Sequence, residues 1–182
     1  MIYLFLADGF EEIEALAPVD LLRRAGKQVL IAGVGGKEVV STRNIRIIAD
    51  IEASEIALNN ELKMIILPGG MPGTNNLEAC EKVIEAIKYC AENNIYIASI
   101  CAAPSILGKM GLLKGRRATC YPGYEKFLEG AKVCNTGVVA DGKYITAMGA
   151  GKSVAFALRL IETLCGSDKA KEIGHSICYE EI

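Results

Sequence analysis

The sequence predicts an α/β fold with a mostly parallel central sheet and helices on both faces. Runs rich in Ile, Val, Leu and Tyr alternate with helical patterns along the chain, which is typical of such a sheet. An Asp-Gly pair inside "VVADGKYITA" marks a hairpin, so part of the sheet should be antiparallel. A chain of 182 residues, 51% hydrophobic, is large enough to bury one core, and we expect a single domain over residues 1–182.

The elements follow one another without a linker, a repeat or a low-complexity tract. The expected strands are the apolar runs "MIYLFL", "QVLIAGV", "MIILPGG", "NIYIASI", "KVCN" and the two arms of "VVADGKYITA", with "VVSTRNIRI" as a second small hairpin. The expected helices have a period of about 3.6 residues and lie at about Glu11 to Ala25, Glu78 to Glu92, "APSILGKM", Gly151 to Cys165, and from Ser167 onwards.

Composition excludes several classes of function. The net charge is −2 and the Lys and Arg residues are scattered, so no basic patch for nucleic acid or anionic lipid is expected. The first apolar run stops at Asp8, and no stretch approaches the ~20 apolar residues of a membrane span. Seven cysteines without a C-x-x-C pair argue against disulfides and zinc. We expect a soluble, cytoplasmic protein with reduced thiols and no metal.

Four unusual stretches fall where predicted strands end: "DGFEE", "PGGMPG", "ICAAP" and "GAGKS". In an open parallel sheet, ligands bind beyond the carboxyl ends of the strands, where these loops converge. The sequence therefore predicts a site for a small molecule at this edge.

Glu14 does not fit the pattern of the first helix. At 100° per residue, Glu14 falls inside a broad apolar arc, which consists of Ala15, Ala17, Pro18, Leu21, Leu22 and Ala25. Glu12 falls on the other side, near Arg23, and Glu11 lies in the first turn, where the helix dipole favours a carboxylate. Pro18 cannot bond the carbonyl of Glu14 and should distort the helix. Glu14 is thus either a partly exposed carboxylate at a helix start or a buried one with a partner.

Cys101 is the cysteine with the most unusual setting. "IYIASICAAP" runs a strand directly into Cys101, small residues and Pro104, which suits the first turn of a helix. Such a turn exposes a nucleophile, as in the G-x-S-x-G elbow, and the helix start should lower the pKa of the thiol. A buried structural cysteine is the alternative. A neighbouring Glu14 would have to stay protonated, because a carboxylate would repel the thiolate.

These stretches resemble the ThiJ/PfpI superfamily, in particular the branch of the human Parkinsonism-associated deglycase and its bacterial relatives. The resemblance covers essentially the whole chain, through "ADGFEEIEALAPVDLLRRAG", "STRNIRI", "LPGGMPGTNNL", "ASICAAPSIL" and "DGKYITAMGAGKSVAFAL". It implies a flavodoxin-like three-layer sandwich and a homodimer.

The resemblance also implies roles for individual residues. The reactive cysteine corresponds to Cys101 and the protonated glutamate to Glu14, with the backbone N–H groups of Gly70 and Ala102 as the oxyanion hole. Arg43 matches an arginine that reaches the cysteine pocket across the dimer interface. Tyr121 stands where relatives carry a histidine, and it would line the substrate pocket.

The leading functional hypothesis is a cofactor-free glyoxalase or deglycase-like activity on methylglyoxal or glyoxal. The alternative is a redox-sensing, stress-protective or chaperone-like protein whose cysteine oxidises to sulfinic acid. Peptidase or amidase activity is not expected, because Ala102 and Tyr121 replace the histidines of relatives and His175 near the C-terminus is the only one. Nucleotide binding through "GAGKS" is disfavoured, since Thr146 stands where a phosphate loop needs glycine.

Overall fold

The alternating pattern folds as strands and helices in the expected order in the computed structural model, which describes residues 1–180. The strands are β1 (Ile2–Leu6), β2 (Val29–Gly33), β3 (Glu38–Val40), β4 (Arg46–Ile48), β5 (Ile51–Glu52), β6 (Met64–Leu67), β7 (Tyr96–Ile100), β8 (Arg117–Ala118), β9 (Lys132–Val133), β10 (Val138–Asp141) and β11 (Tyr144–Ala147). The helices are α1 (Glu12–Arg24), α2 (Gly73–Ala79), α3 (Glu81–Glu92), α4 (Pro104–Lys109), α5 (Ser153–Cys165) and α6 (Ser167–Ser176). Residues 181 and 182, the end of the expected domain, lie outside the described part.

Seven strands form the central sheet, in the order β10-β11-β7-β6-β1-β2-β5. All neighbouring pairs are parallel except β10 and β11, which form the antiparallel hairpin around Asp141 and Gly142. β3 and β4 form a separate antiparallel hairpin over the predicted "VVSTRNIRI". The prediction of a mostly parallel α/β sheet with an antiparallel part is therefore confirmed.

The strand side chains alternate between two apolar layers, which places helices on both faces of the sheet. Leu4 and Leu6 of β1 join the core beneath α1, α5 and α6, where Phe156 is fully buried. Tyr3 and Phe5 point to the other face and join the core beneath α2, α3 and α4. Helices thus cover both faces of the central sheet, and loops lie at the carboxyl ends of its strands.

Backbone hydrogen bonds gather the loops at that edge. The N–H of Cys101 donates to the Ala147 carbonyl over 2.9 Å, which joins the ends of β7 and β11. The N–H of Glu11 donates to the Gly69 carbonyl over 3.0 Å, which joins the loops after β1 and β6. The four unusual stretches of the sequence therefore lie side by side.

Two helices differ from their predicted bounds. The helix predicted from Glu78 is split, because Cys80 has an extended backbone between α2 and α3. The last long helix begins at Ser153, after a short 3-10 turn over Ala150–Lys152. Pro18 lies inside α1, which continues through it to Arg24.

Candidate active site

Cys101 lies at a sharp bend between β7 and α4. Its φ of 65° is in the left-handed region, which a residue with a side chain seldom adopts and which costs about 1–3 kcal/mol. Two hydrogen bonds hold this backbone: the N–H donates to Ala147, and the carbonyl accepts from the N–H of Tyr121 over 2.8 Å. The bend turns the thiol away from the direction of the strand, toward the loops after β1 and β6.

Glu14 meets this thiol from α1. Its side chain is 1% exposed, and its carboxyl lies close enough to the Cys101 thiol for each group to shift the pKa of the other. The N–H of Gly69 donates to Glu14 Oε2 over 2.9 Å, and the N–H of Ala150 also faces the carboxyl. The Glu11 side chain caps the helix by accepting from the N–H of Glu14 over 2.8 Å, so the turn that carries Glu14 is fixed.

Backbone N–H groups also face the sulfur. Those of Gly70 and Ala102 lie close enough to the Cys101 thiol to favour its charged form, so donors from two loops face one atom. Donors in this arrangement stabilise negative charge on the sulfur, or on an oxygen bound next to it. The structure therefore brings together Glu14, Cys101, Gly70 and Ala102, the four residues of the predicted catalytic centre and oxyanion hole.

The Glu14 carboxyl and the Cys101 thiol compete for one proton. Burial raises the pKa of Glu14 to about 7, against the opposing effect of its hydrogen bonds. Burial, followed by the charge of Glu14, raises the pKa of Cys101 to about 12. Between these values the pair carries a single negative charge. When the proton is on Glu14, that charge sits on the sulfur, facing the N–H groups of Gly70 and Ala102.

The predicted lowering of the Cys101 pKa is wrong. The sequence could not show that desolvation and the neighbouring Glu14 carboxylate, which raise this pKa, outweigh the backbone N–H groups of Ala102 and Gly70, which lower it. A thiolate at this site therefore depends on Glu14 holding the proton.

Gly69 makes the close approach of thiol and carboxyl feasible. A Cβ on this residue would lie 2.6 Å from Cys101 Cβ, 2.6 Å from Glu14 Oε2 and 3.1 Å from Cys101 Sγ. Any side chain would therefore separate the pair. This glycine was not among the predicted site residues, although "PGG" at a strand end was the available signal.

Tyr121 lies at the rim of the site, and the loop after β11 lies beneath its ring. A Cβ on Gly149 would lie 3.4 Å from Tyr121 Cδ2 and 3.8 Å from Glu14 Oε1. The "GAGKS" stretch thus passes close to the cysteine pocket, and the N–H of its Ala150 faces the Glu14 carboxyl.

Arg43 and His175 lie apart from this cluster. Arg43 is exposed in the β3–β4 turn, and its N–H donates to Glu12 Oε1 over 2.9 Å. His175 is exposed on α6 and lines a groove of about 750 Å³ beside α5. Within residues 1–180, no cluster of His, Cys, Asp and Glu has the makings of a metal site. No helix in that range is long and apolar enough to cross a membrane.

Glu12, which the helical wheel places away from the apolar arc and at the same angle as Arg23, is nevertheless buried. Glu12 is 9% exposed and accepts hydrogen bonds from the Ser41 hydroxyl and, over 2.9 Å, from the N–H of Arg43. Arg23 instead pairs with Asp50. A helical wheel of α1 alone does not reveal the β3–β4 hairpin that covers this side. The hydroxyls of "STR" were the only signal in the sequence.

Comparison with known proteins agrees with this architecture. The model of the DJ-1/PfpI family matches residues 1–163. Toxoplasma gondii DJ-1, described as oxidized, superposes with a TM-score of 0.94 at 31% identity, covering 99% of this chain and 98% of that one. The flavodoxin-like fold predicted from the resemblance is thereby confirmed.

Some relatives are about as long as this chain, whereas others are more than twice as long. A Caenorhabditis elegans protein named glutathione-independent glyoxalase DJR-1.2 is 35% identical over 170 residues, which are 92% of this chain and 90% of that protein. Arabidopsis thaliana DJ-1 homolog B is 37% identical over 170 residues, which are 92% of this chain. The chain spans only 39% of the length of that homolog and 43% of homolog A. The family match over residues 1–163, together with the structural similarity, shows that the chain belongs to the DJ-1/PfpI family.

Proposed function

We propose that this protein is a cofactor-free glyoxalase that converts small 2-oxoaldehydes, such as methylglyoxal and glyoxal, into 2-hydroxy acids. The observation that carries the proposal is the buried Glu14 carboxyl beside the Cys101 thiol, with both groups packed against Gly69. The C. elegans relative named as a glyoxalase supports the same chemistry.

The first step forms a bond between sulfur and the aldehyde carbon. The Cys101 thiolate attacks that carbon, and the carbonyl electron pair moves to oxygen, where the N–H groups of Gly70 and Ala102 stabilise it. Glu14 then gives its proton to this oxygen, which yields a hemithioacetal.

The second step moves hydrogen between neighbouring carbons. The Glu14 carboxylate removes the proton from the former aldehyde carbon, and the electron pair moves to the neighbouring carbonyl oxygen to give an enediolate. Glu14 returns the proton to the adjacent carbon, while the hydroxyl proton on the first carbon passes to the oxygen on the second. The first carbon is thereby oxidised to a thioester and the second is reduced to an alcohol, so no outside oxidant is needed. Water then cleaves the thioester, which releases the 2-hydroxy acid and restores the Cys101 thiol.

The raised pKa of Glu14 suits this double role. A group with a pKa of about 7 both donates and accepts a proton near neutral pH. A Cys-His peptidase mechanism would need an imidazole beside the sulfur, whereas His175 lies on α6 against the groove next to α5.

The test is turnover of methylglyoxal, with the 2-hydroxy acid product followed by NMR. We expect Cys101→Ser to abolish turnover and Glu14→Gln to lower it by about 10²-fold or more. The control is Cys178→Ser, which removes an exposed thiol and should leave the rate unchanged. A Glu14→Gln rate equal to that of the unaltered protein would contradict the proposal.

A second candidate function uses the same sulfur. Peroxide would oxidise the thiolate to sulfenic acid and a second peroxide to sulfinic acid, each being reduced to water. A protonated Glu14 would donate a hydrogen bond to the sulfinate, and the Toxoplasma structure described as oxidized favours this reading. Mass spectrometry after mild peroxide should find two added oxygens on Cys101; oxygens placed on another cysteine would rule out a sensor at this site.

We further propose that residues 1–182 form one domain that works as a homodimer in the cytoplasm, with Arg43 reaching the partner's pocket. Three large apolar side chains are exposed on two elements that Glu12 joins: Ile13 on α1, and Ile45 and Ile48 on the β3–β4 hairpin. All seven cysteines are free, which suits a reducing compartment.

A further inference from the structure

We propose that the Tyr121 ring is a stacking surface that gives the site a preference for 2-oxoaldehydes with a planar or aromatic substituent. The inference rests on the proposed function and names the substrate class within it. Phenylglyoxal represents this class, and methylglyoxal is the matching aldehyde without a ring.

The position of Tyr121 supports this assignment. Its N–H donates to the carbonyl of Cys101 over 2.8 Å, so its backbone is fixed to that of the nucleophile. One edge of its ring lies close to Glu14 Oε1, because a Cβ placed on Gly149 would be within 4 Å of both. The Tyr121 ring therefore lies beside the Glu14 carboxyl, within reach of a substituent on a substrate attached to the Cys101 sulfur.

The ring is both accessible and held in place. Tyr121 is 49% exposed, so one side is free for a ligand. Tyr124 packs edge-on against it with ring centroids 6.4 Å apart, and Phe127 packs against Tyr124 at 5.6 Å. The N–H of Tyr124 donates to the Tyr121 carbonyl over 3.0 Å, and Pro122 restricts the backbone between them. A ring already ordered by these contacts loses little entropy when a ligand stacks on it.

The loop after β6, which also faces the sulfur, carries an exposed apolar side chain. Met71 follows Gly70, whose N–H faces the sulfur, and Met71 is 45% exposed. Thioether and phenol side chains both favour contact with aromatic groups. An aromatic substituent should therefore improve binding by roughly three- to ten-fold over a methyl group.

Kinetics with two substrates test the stacking surface. We expect the ratio of kcat/KM for phenylglyoxal over methylglyoxal to fall roughly three- to ten-fold in Tyr121→Leu and to be kept in Tyr121→Phe, which retains the ring but not the hydroxyl. The control is Tyr89→Leu, because Tyr89 lines a cavity at the opposite end of the sheet, with Lys63 and Lys143. A ratio that is unchanged in Tyr121→Leu would overturn the proposal.

A second readout does not depend on turnover. Alkylation of Cys101 by N-phenyl iodoacetamide and by iodoacetamide is followed by peptide mass spectrometry, with each rate divided by that of glutathione. We expect the phenyl reagent to be favoured in the unaltered protein and in Tyr121→Phe, and the preference to be lost in Tyr121→Leu. This pattern without aldehyde turnover would refute the glyoxalase but support the stacking surface. Equal reagent preferences in all three proteins would overturn the stacking surface even with an active glyoxalase.

Discussion

At the scale of single residues, the site depends on a carboxyl group that water cannot reach. Glu14 is 1% exposed, and burial raises its pKa to about 7, so it keeps its proton below neutral pH. Cys101 depends on the same proton, since a thiolate next to an ionised Glu14 would put two negative charges in one buried space. The reactivity of the sulfur is therefore a property of the pair.

The pKa of Glu14 predicts a specific pH dependence of stability. Because the folded-state pKa is raised from 4.5 to about 7, stability is fully present below about pH 4.5 and is lost as the pH rises through about 7. The neutral amide introduced by Glu14→Gln does not ionise and so escapes this loss. Denaturant unfolding from about pH 4 to about pH 8 should therefore show Glu14→Gln gaining roughly 3 kcal/mol relative to the unaltered protein.

Glu92→Gln, at the exposed end of α3, serves as the control for the loss of a carboxylate. A free-energy difference between Glu14→Gln and the unaltered protein that stays constant with pH would contradict burial of an ionisable Glu14.

Gly69 gives a second prediction at this scale. Gly69→Ala should lower the free energy of unfolding by about 1–3 kcal/mol and strongly reduce turnover, because its Cβ would lie 2.6 Å from both Cys101 Cβ and Glu14 Oε2. Gly151→Ala is the matched control, since a Cβ there meets no atom within 4 Å. Equal stability and turnover of the two variants would show that thiol and carboxyl do not lie this close.

At the scale of elements, α1 joins the active site to the β3–β4 hairpin. Glu14 points toward Cys101, while Glu12, two residues earlier, points toward Ser41 and Arg43. Burial alone would raise the pKa of Glu12, but hydrogen bonds from Ser41, the Arg43 N–H and Thr42 hold it below its usual value. The pKa values of two carboxyls on one helix are thus shifted in opposite directions, according to their surroundings.

The Glu12 contact should stabilise the docking of the hairpin on α1. In Glu12→Gln an NH₂ group replaces one of the two carboxylate oxygens. The hydrogen bonds that Oε1 accepts from Ser41 and Arg43 and the one that Oε2 accepts from Thr42 then cannot all be kept, so we expect a loss of about 1–3 kcal/mol in the free energy of unfolding. The control is Glu81→Gln, the exposed first residue of α3. Hydrogen exchange should localise the loss to residues 38–48, and equal stability of both variants would contradict a structural role for Glu12.

At the scale of the whole molecule, the strand and helix pattern was readable because burial on two faces imposes it. Apolar runs such as "MIYLFL" and the Asp-Gly turn in "VVADGKYITA" carry that information locally. The position of Glu14 in the apolar arc of α1 could likewise be read from the neighbouring residues of the helix. The raised pKa of Cys101 and the contact of Glu12 with Ser41 were not readable, because both depend on which loops meet in three dimensions.

The proposed homodimer gives a prediction at this scale. Ile48→Glu and Ile13→Glu place charges on the exposed apolar side chains of the hairpin and of α1. Sedimentation should show the unaltered protein as a dimer and these variants shifted toward monomer. Val133→Glu alters an exposed apolar residue on β9 and should leave the dimer unchanged. A monomeric unaltered protein would contradict the proposal.

The most direct test of the central claim is the infrared spectrum of the Glu14 carboxyl, taken as the difference between the unaltered protein and Glu14→Gln. We expect a protonated carboxylic acid C=O band below neutral pH that disappears with a midpoint at about pH 7. A carboxylate signal alone, already present at about pH 5.5 where an ordinary Glu is ionised, would contradict it.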